Sequence, residues 1–308
     1  MTNTLPNLII AGIRKGGTTS LSHYLGQHPD ICSSELKKVG FFLPLKYGEG
    51  TDSLDSYAAH FEHCAHARYR MEATTGYFLG GASIAQPMAE MLPDARVLIV
   101  LREPVDALWS HYRFVRSHLR IPGDMDFPAY VEESRRLMVA GEDGLRENNA
   151  YVAYSGGFYE KPLTEWADAF GDRLRVLFFD DLHRDVAAML TELLEWLDID
   201  TAPVAEFDFD VLNRSVQIRN RRLQWVALRV NEEAKSFFRR HHGIKRALRS
   251  GYYMVNRDRS PSPRLSPEMR AELRAGYADS NAATAALIES RGLAPGPLPS
   301  WLADPERR

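Results

Sequence analysis

The sequence predicts an α/β fold in three layers, a central and mainly parallel sheet flanked by helices. Residues 8–20, LIIAGIRKGGTTS, run from an apolar stretch through a glycine-bracketed basic loop into hydroxyl residues and a helical pattern. Strand-like and helix-like periodicities then alternate for most of the chain, as parallel sheets with crossover helices require. The 308 residues, 44% hydrophobic and 26% charged, suffice for one large core, and we read a single domain over 1–308.

The elements follow in order. The first strand is expected over 8–11 and the first helix over 18–26. A short strand over 68–72 precedes a central strand over 97–101, an unbroken apolar run suited to burial on both faces. Pro104 fits the first turn of a helix over 105–117. A helix over 156–170 leads to a strand over 174–179, and an amphipathic helix covers 186–197. The stretch 121–149 is irregular and rich in Glu, Asp and Arg. It reads as helices and loop inserted near 118–150, either one wall of an acceptor pocket or a plain surface insertion. From 257 onward a helical extension is expected: a turn-rich basic linker to Arg264, a helix over 267–291 that packs through Leu273, Tyr277 and Leu287, and a loosely held end from Pro295.

The loop after the first strand has the chemistry of an anion site. Gly16 and Gly17 allow the backbone to approach a ligand closely. The amides entering the helix over 17–21 lack intrahelical partners and lie at the positive end of its dipole. The usual nucleoside-triphosphate loop, G-x-x-x-x-G-K-[ST], aligns Gly12 with Gly17 but finds Thr18 where its lysine belongs. Lys15 instead precedes the glycine pair, and the best acidic candidates for Mg²⁺, Asp180 and Asp181, lie far along the chain. A P-loop-like but metal-free phosphate site is the better reading. Arg102, closing the central strand, offers a planar fork for a second phosphate. Ser110, about two helical turns later, adds a hydroxyl if its helix folds across the same crevice. Two such grips suit a nucleotide with phosphate at both ends.

Ile13-Arg-Lys-Gly-Gly-Thr-Thr-Ser-Leu21, with His28-Pro29 and Phe41-Phe42, resembles the 5′-phosphosulfate loop of sulfotransferases that use 3′-phosphoadenosine 5′-phosphosulfate (PAPS). The nearest version is that of the heparan sulfate and other carbohydrate members and their bacterial relatives. Residues 95–112, ARVLIVLREPVDALWSHY, resemble the family's 3′-phosphate motif, and 213–224 its late basic loop. This resemblance covers about 7–225. It implies that Lys15 touches the oxygen bridging phosphate and sulfate, and that Arg14, the amides of Gly16 and Gly17, and Thr18, Thr19 and Ser20 hold the 5′-phosphate. It further implies that Arg102, Ser110 and Arg219 take the 3′-phosphate.

The acceptor side departs from the family. Carbohydrate members carry a glutamate three residues before the Phe-Phe pair, often with histidine just before the pair, where this chain has Lys38 and Gly40. Candidate bases are Glu35, Glu72 and His111, unless the acceptor is acidic enough to need little help. Glu72-Ala-Thr-Thr-Gly-Tyr77 resembles the acceptor-side Glu-Lys-Thr-Pro-x-Tyr segment, which places Thr74 with the substrate. Lys37 and Lys38 suit an anionic acceptor or the transferring sulfate. Gly157-Phe-Tyr159 resembles a segment near the nucleotide, although Tyr159 equally fits a core aromatic.

The resemblance thus implies transfer of a sulfuryl group from PAPS, leaving 3′-phosphoadenosine 5′-phosphate (PAP), to a hydroxyl of a small-molecule, glycan or lipid-linked acceptor without a metal. A P-loop kinase or nucleotide hydrolase, and a binding protein without turnover, are the alternatives. A formal net charge of −3 argues against nucleic acid as a partner. The apolar stretches fall far short of the ~20 residues a membrane helix needs. With the first strand near the amino terminus, no leader segment is expected. Two cysteines, Cys32 and Cys64, are too few for a disulfide framework. A cytoplasmic, bacterial-type member is therefore expected. Oligomeric state is not legible.

Overall fold

A computed structural model of the chain describes residues 4–36, 38–209, 219–234, 248, 251–252, 255–256 and 264–303. Lys37, the first half of the late basic segment (213–218) and most of the expected linker (257–263) lie outside the described residues.

The chain runs β1 (Leu8–Gly12), α1 (Thr18–Leu25), β2 (Ile31–Ser33), α2 (Leu54–Ala59), β3 (Tyr69–Ala73), α3 (Ala82–Met91), β4 (Arg96–Leu101), α4 (Pro104–Ser117), α5 (Phe127–Val139), α6 (Glu160–Phe170), β5 (Leu174–Phe178), α7 (Asp181–Arg184), α8 (Val186–Trp196), α9 (Arg221–Glu233) and α10 (Pro267–Arg291). The five strands form one sheet in the order β2-β3-β1-β4-β5, every pairing parallel. The expected α/β architecture is present.

Alternation along the strands divides the core. Ile9, Ala11, Val97, Ile99 and Val176 face one layer with Phe78, Trp166 and Phe170. Leu8, Ile10, Leu98 and Val100 face the other with Leu21 of α1 and Leu190, Leu193 and Leu194 of α8. A third cluster joins Leu108 and Tyr112 of α4, Phe127, Tyr130 and Val131 of α5, and Leu273 and Tyr277 of α10. The irregular stretch is therefore a wall packed onto α4, held by Tyr130, whose hydroxyl donates to the Ala150 carbonyl at 2.8 Å.

β1 is flanked by β3 on one side and β4 on the other, so the connections leave its two neighbours in opposite directions. Ligands in open parallel sheets bind in the crevice outside the carboxyl ends at such a switch point. The loops after β1 and β4 meet there: the Ile13 amide donates to the Val100 carbonyl at 3.1 Å. Gly16 makes this approach possible, since a Cβ on it would lie 2.6 Å from the Val100 oxygen. The start of α4 is fixed from outside the sheet. Glu103 caps it by accepting from the Asp106 amide, and also accepts from Arg270 at 3.2 Å and Arg274 at 2.6 Å of α10.

Three details differ from the sequence reading. The helix expected from 156 begins at Glu160, after a 3-10 turn at Ser155–Gly157 where Tyr277 packs too closely for any side chain on Gly157. The stretch expected to be loose from Pro295 is docked in its described part, to residue 303: Leu302 is buried, as is Leu293 just before it, and Trp301 packs edge-on against Tyr159 and Phe178. Leu273 and Tyr277 are buried as expected. Cys32 and Cys64 are joined in a disulfide, so β2 is bonded to the turn at Glu62–Cys64. Among the described residues no helix is long and apolar enough to cross a membrane.

Candidate active site

The loop between β1 and α1 carries the first group of predicted residues. Gly17 takes the left-handed conformation (φ 86°) as N-cap of α1 and supplies no side-chain cap. The Ser20 and Leu21 amides donate to the Gly17 carbonyl, which leaves, among the described residues, the Thr18 and Thr19 amides with neither an intrahelical partner nor a capping oxygen. Thr18 is buried, whereas Thr19 and Ser20 are half-buried beside it. Lys15 itself is left-handed (φ 68°), a conformation costly for a residue with a Cβ and characteristic of functional turns. Its ammonium lies 5.3 Å from the centre of the Phe114 ring.

Arg102 crosses from the end of β4 to the same loop. One guanidinium nitrogen donates to the Lys15 carbonyl at 3.1 Å, and the guanidinium lies 4.1 Å from the centre of the Phe179 ring. Its own carbonyl accepts from the Tyr159 hydroxyl at 2.8 Å, so the fully buried Tyr159 is both core aromatic and brace. Among the described residues, the buried Arg102 Nε has no hydrogen-bond partner. Ser110 is half-buried one helical turn before Phe114, hence on the face of α4 that meets Lys15.

Arg14 turns toward the wall, donating to Asn149 Oδ1 at 2.9 Å and, more weakly, to the Asn149 carbonyl at 3.3 Å. Lys38 is solvent-exposed, but its ammonium faces Arg14 and Arg120. Among the described residues none of Arg14, Lys15, Lys38 or Arg102 makes an ion pair with a carboxylate. Their acidities record the crowding. Burial lowers the Lys15 pKa first, and Arg102, Lys38 and Arg113 add to it. Lys38 is lowered by desolvation, then by Arg14 and Arg120. Burial likewise lowers Arg14 and Arg102, although nearby acidic groups partly oppose it at Arg102. Cations gathered without an ion-paired carboxylate fit an anionic ligand.

The acceptor-side candidates separate. Glu72 is fully buried and saturated: Oε1 accepts from the Gly40 amide (3.0 Å), the Thr74 hydroxyl (2.6 Å) and the Tyr77 hydroxyl (2.8 Å), while Oε2 accepts from Tyr57. Burial and the neighbouring carboxylate push both tyrosines well above their ordinary pKa. Glu72 therefore organises the turn before Phe41-Phe42, and Thr74, 2% exposed, is part of that hub. Glu35 is exposed, its amide donating to the His60 carbonyl. Arg219 is exposed, with its amide bonded to the Asn256 carbonyl at 3.0 Å. Next to it Gln224 of α9 donates to the Ser117 carbonyl at 2.8 Å, which ties the segment to the end of α4.

His111, the third candidate base, is among the buried residues of α4. It is 3% exposed, and among the described residues neither ring nitrogen makes a close hydrogen bond. Burial first, then Arg14, lower its pKa to about 3, the Ala150 backbone opposing only part of this. The fold thus holds a neutral imidazole, and between pH 6.5 and about 3 the unfolded chain binds a proton that the folded chain refuses. Stability then falls as pH falls through that window, by about 1.4 kcal/mol per unit. Urea unfolding at pH 7 and pH 5 should show the parent losing about 2 kcal/mol more than His111→Leu; equal losses would mean that His111 is not held neutral.

Asn149, Phe114, Phe179 and the Tyr57–Tyr77 pair were not anticipated. Each reaches the site through long-range packing, and of such bracing aromatics only Tyr159 is singled out by the sequence.

The chain matches the model of the sulfotransferase domain over residues 5–251 and belongs to the sulfotransferase family, whose chemistry is sulfuryl transfer. It is 26% identical over 206 residues to bifunctional heparan sulfate N-deacetylase/N-sulfotransferase 1 of Caenorhabditis briggsae, covering 65% of this chain and 23% of that protein. The human protein of that name is 29% identical over 179 residues, 54% of this chain and 19% of its own length. Membrane-associated sulfotransferase kil1 of Dictyostelium discoideum is 31% identical over 112 residues, 36% of this chain and 23% of that protein. The chain thus spans less than a quarter of these relatives. The crystal structure of a sulfotransferase from Alicyclobacillus acidocaldarius shares the fold, with a TM-score of 0.65 and 23% identity over 97% of this chain and 99% of that one.

Proposed function

We propose that the chain transfers a sulfuryl group from PAPS to a hydroxyl of a glycan, lipid-linked or small-molecule acceptor. The observation that carries this reading is the cationic pair Lys15 and Arg102 at the switch point, which among the described residues makes no ion pair and leaves Arg102 Nε buried without a hydrogen-bond partner. A donor bearing phosphate at both ends would meet the α1 amides, Thr19 and Ser20 at one end and Arg102, Ser110 and Arg219 at the other. In the reaction the acceptor oxygen forms a bond to sulfur as the bond from sulfur to the phosphate oxygen breaks, and the acceptor proton goes to a base. Lys15 stabilises the charge that develops on the departing phosphate, the kind of task fixed cations perform in related transfers. Of the carboxylates considered, exposed Glu35 is free to take the proton, while Glu72 is committed to the hub. Lys38, in the position of the family glutamate, suits an anionic acceptor. The heparan sulfate relatives are N-sulfotransferases by name, so amine-bearing glycans belong beside hydroxyl acceptors.

The kinase reading loses support from its own metal candidates, since Asp181 pairs with Arg184 at 2.6 Å and Asp180 accepts from the Trp301 indole at 3.3 Å. Incubating the chain with PAPS, a chelator and a panel of acceptors should release PAP only when acceptor is present. Mg²⁺-dependent consumption of ATP would instead favour a kinase or hydrolase, and tight PAP binding with no turnover on any acceptor a binding protein.

A further inference from the structure

On edge strand β2, away from the anion crevice, four donor atoms converge. Cys32 Sγ, Cys64 Sγ and His63 Nε2 all lie within 4.8 Å of one another. The Ser33 carbonyl oxygen stands 3.0 Å from His63 Nε2, 3.6 Å from Cys64 Sγ and 3.8 Å from Cys32 Sγ. His63 Nε2 is 3.4 Å from Cys64 Sγ. For a tetrahedral zinc ion, with bonds of about 2.3 Å to sulfur and about 2.0–2.2 Å to nitrogen or oxygen, S···N and S···O edges are about 3.6 Å and the N···O edge about 3.4 Å. The spacings between the carbonyl, the imidazole and the sulfurs fall within a few tenths of an ångström of these values, apart from Cys32 to His63, which is bounded only by the 4.8 Å limit. The edge that does not fit joins the two sulfurs, which are bonded to each other.

We propose that reduction of the Cys32–Cys64 disulfide converts this cluster into a zinc site with an S₂NO donor set. Two electrons from an external thiol pair, which leaves as its disulfide, or from a phosphine, which leaves as its oxide, break the S–S bond, and two protons from those thiols or from water complete two thiols. Zn²⁺ then displaces both thiol protons, and His63 binds as neutral imidazole through Nε2 with the remaining proton on Nδ1. The sulfurs must part to about 3.8 Å, within reach of side-chain rotation from Cα atoms 5.5 Å apart. Cys64 is buried, Cys32 half-buried and His63 exposed, so one side of the site is open to an arriving ion. Disulfide and metal exclude each other, and the occupant of this cluster sets the anchor of the loop that carries Glu35 and Lys38.

The test titrates Zn²⁺ into phosphine-reduced chain against a chromophoric chelator, and repeats the experiment with Co²⁺ to look for thiolate-to-metal charge-transfer absorption. One equivalent should bind to the reduced chain and none to the oxidised chain. Cys32→Ser and Cys64→Ser should lose binding and the charge-transfer band, and the exposed His63→Ala should weaken binding by more than about tenfold. His63→Ala keeps the test decisive if a cysteine variant misfolds. No stoichiometric binding by reduced parent, or binding unchanged in His63→Ala or the serine variants, would overturn the site and leave a structural disulfide only.

Discussion

A Lys15→Met variant is expected to fold as the parent does and to turn over about 10²–10³-fold more slowly, the usual consequence of removing one fixed group that stabilises developing charge. Methionine keeps an unbranched apolar stem beside the Phe114 ring while deleting the ammonium. It also removes a cation from a crowd that includes Arg102, Lys38 and Arg113, so thermal stability should be unchanged or higher. Donor affinity should fall much less than turnover, because the α1 amides and Arg102 remain. Turnover within a few-fold of parent would remove Lys15 from the chemistry.

Glu72→Ala is expected to act oppositely, on stability. It strands the hydroxyls of Tyr57, Tyr77 and Thr74 and the Gly40 amide in a buried place. Each unsatisfied buried group costs about 1–3 kcal/mol; with partial relaxation the loss should reach about 3–5 kcal/mol in denaturant unfolding. Glu72→Gln is the discriminating partner. Its carbonyl oxygen can serve the three donors now on Oε1, and its amide can donate to Tyr57, whose hydroxyl also accepts. That variant should stay folded and keep turnover within several-fold. A folded Glu72→Gln chain slowed by 10² or more, as loss of a general base gives, would return Glu72 to catalysis.

The sheet was legible where its physics is local. β1, β4 and β5 read as apolar runs because parallel strands buried on both faces need no alternation. β2 escaped notice, since three residues, Ile31, Cys32 and Ser33, carry no period. α3 was missed because Pro87 stands inside it. The end of the chain looked loose from its prolines and glycines, yet Leu293 and Leu302 are buried in the core and Trp301 packs against it. At the site, the phosphate loop and Arg102 were readable because each lies in one continuous motif. The Arg14–Asn149 contact joins residues 135 apart in sequence, and no local pattern could announce it. The burial of His111 likewise depends on a wall, α5 and the turns after it, whose packing only the fold defines.

The central claim is that Lys15 and Arg102 frame a site for a nucleotide with phosphate at both the 3′ and 5′ positions. Calorimetric titration with PAP in the presence of a chelator, with ATP and adenosine 5′-monophosphate as controls, tests it directly. The account predicts selective binding of PAP and an affinity about 10–100-fold lower in Arg102→Ala, the equivalent of charge-assisted hydrogen bonds worth about 1.5–3 kcal/mol. Preference for ATP, or PAP binding indifferent to Arg102→Ala, would contradict it.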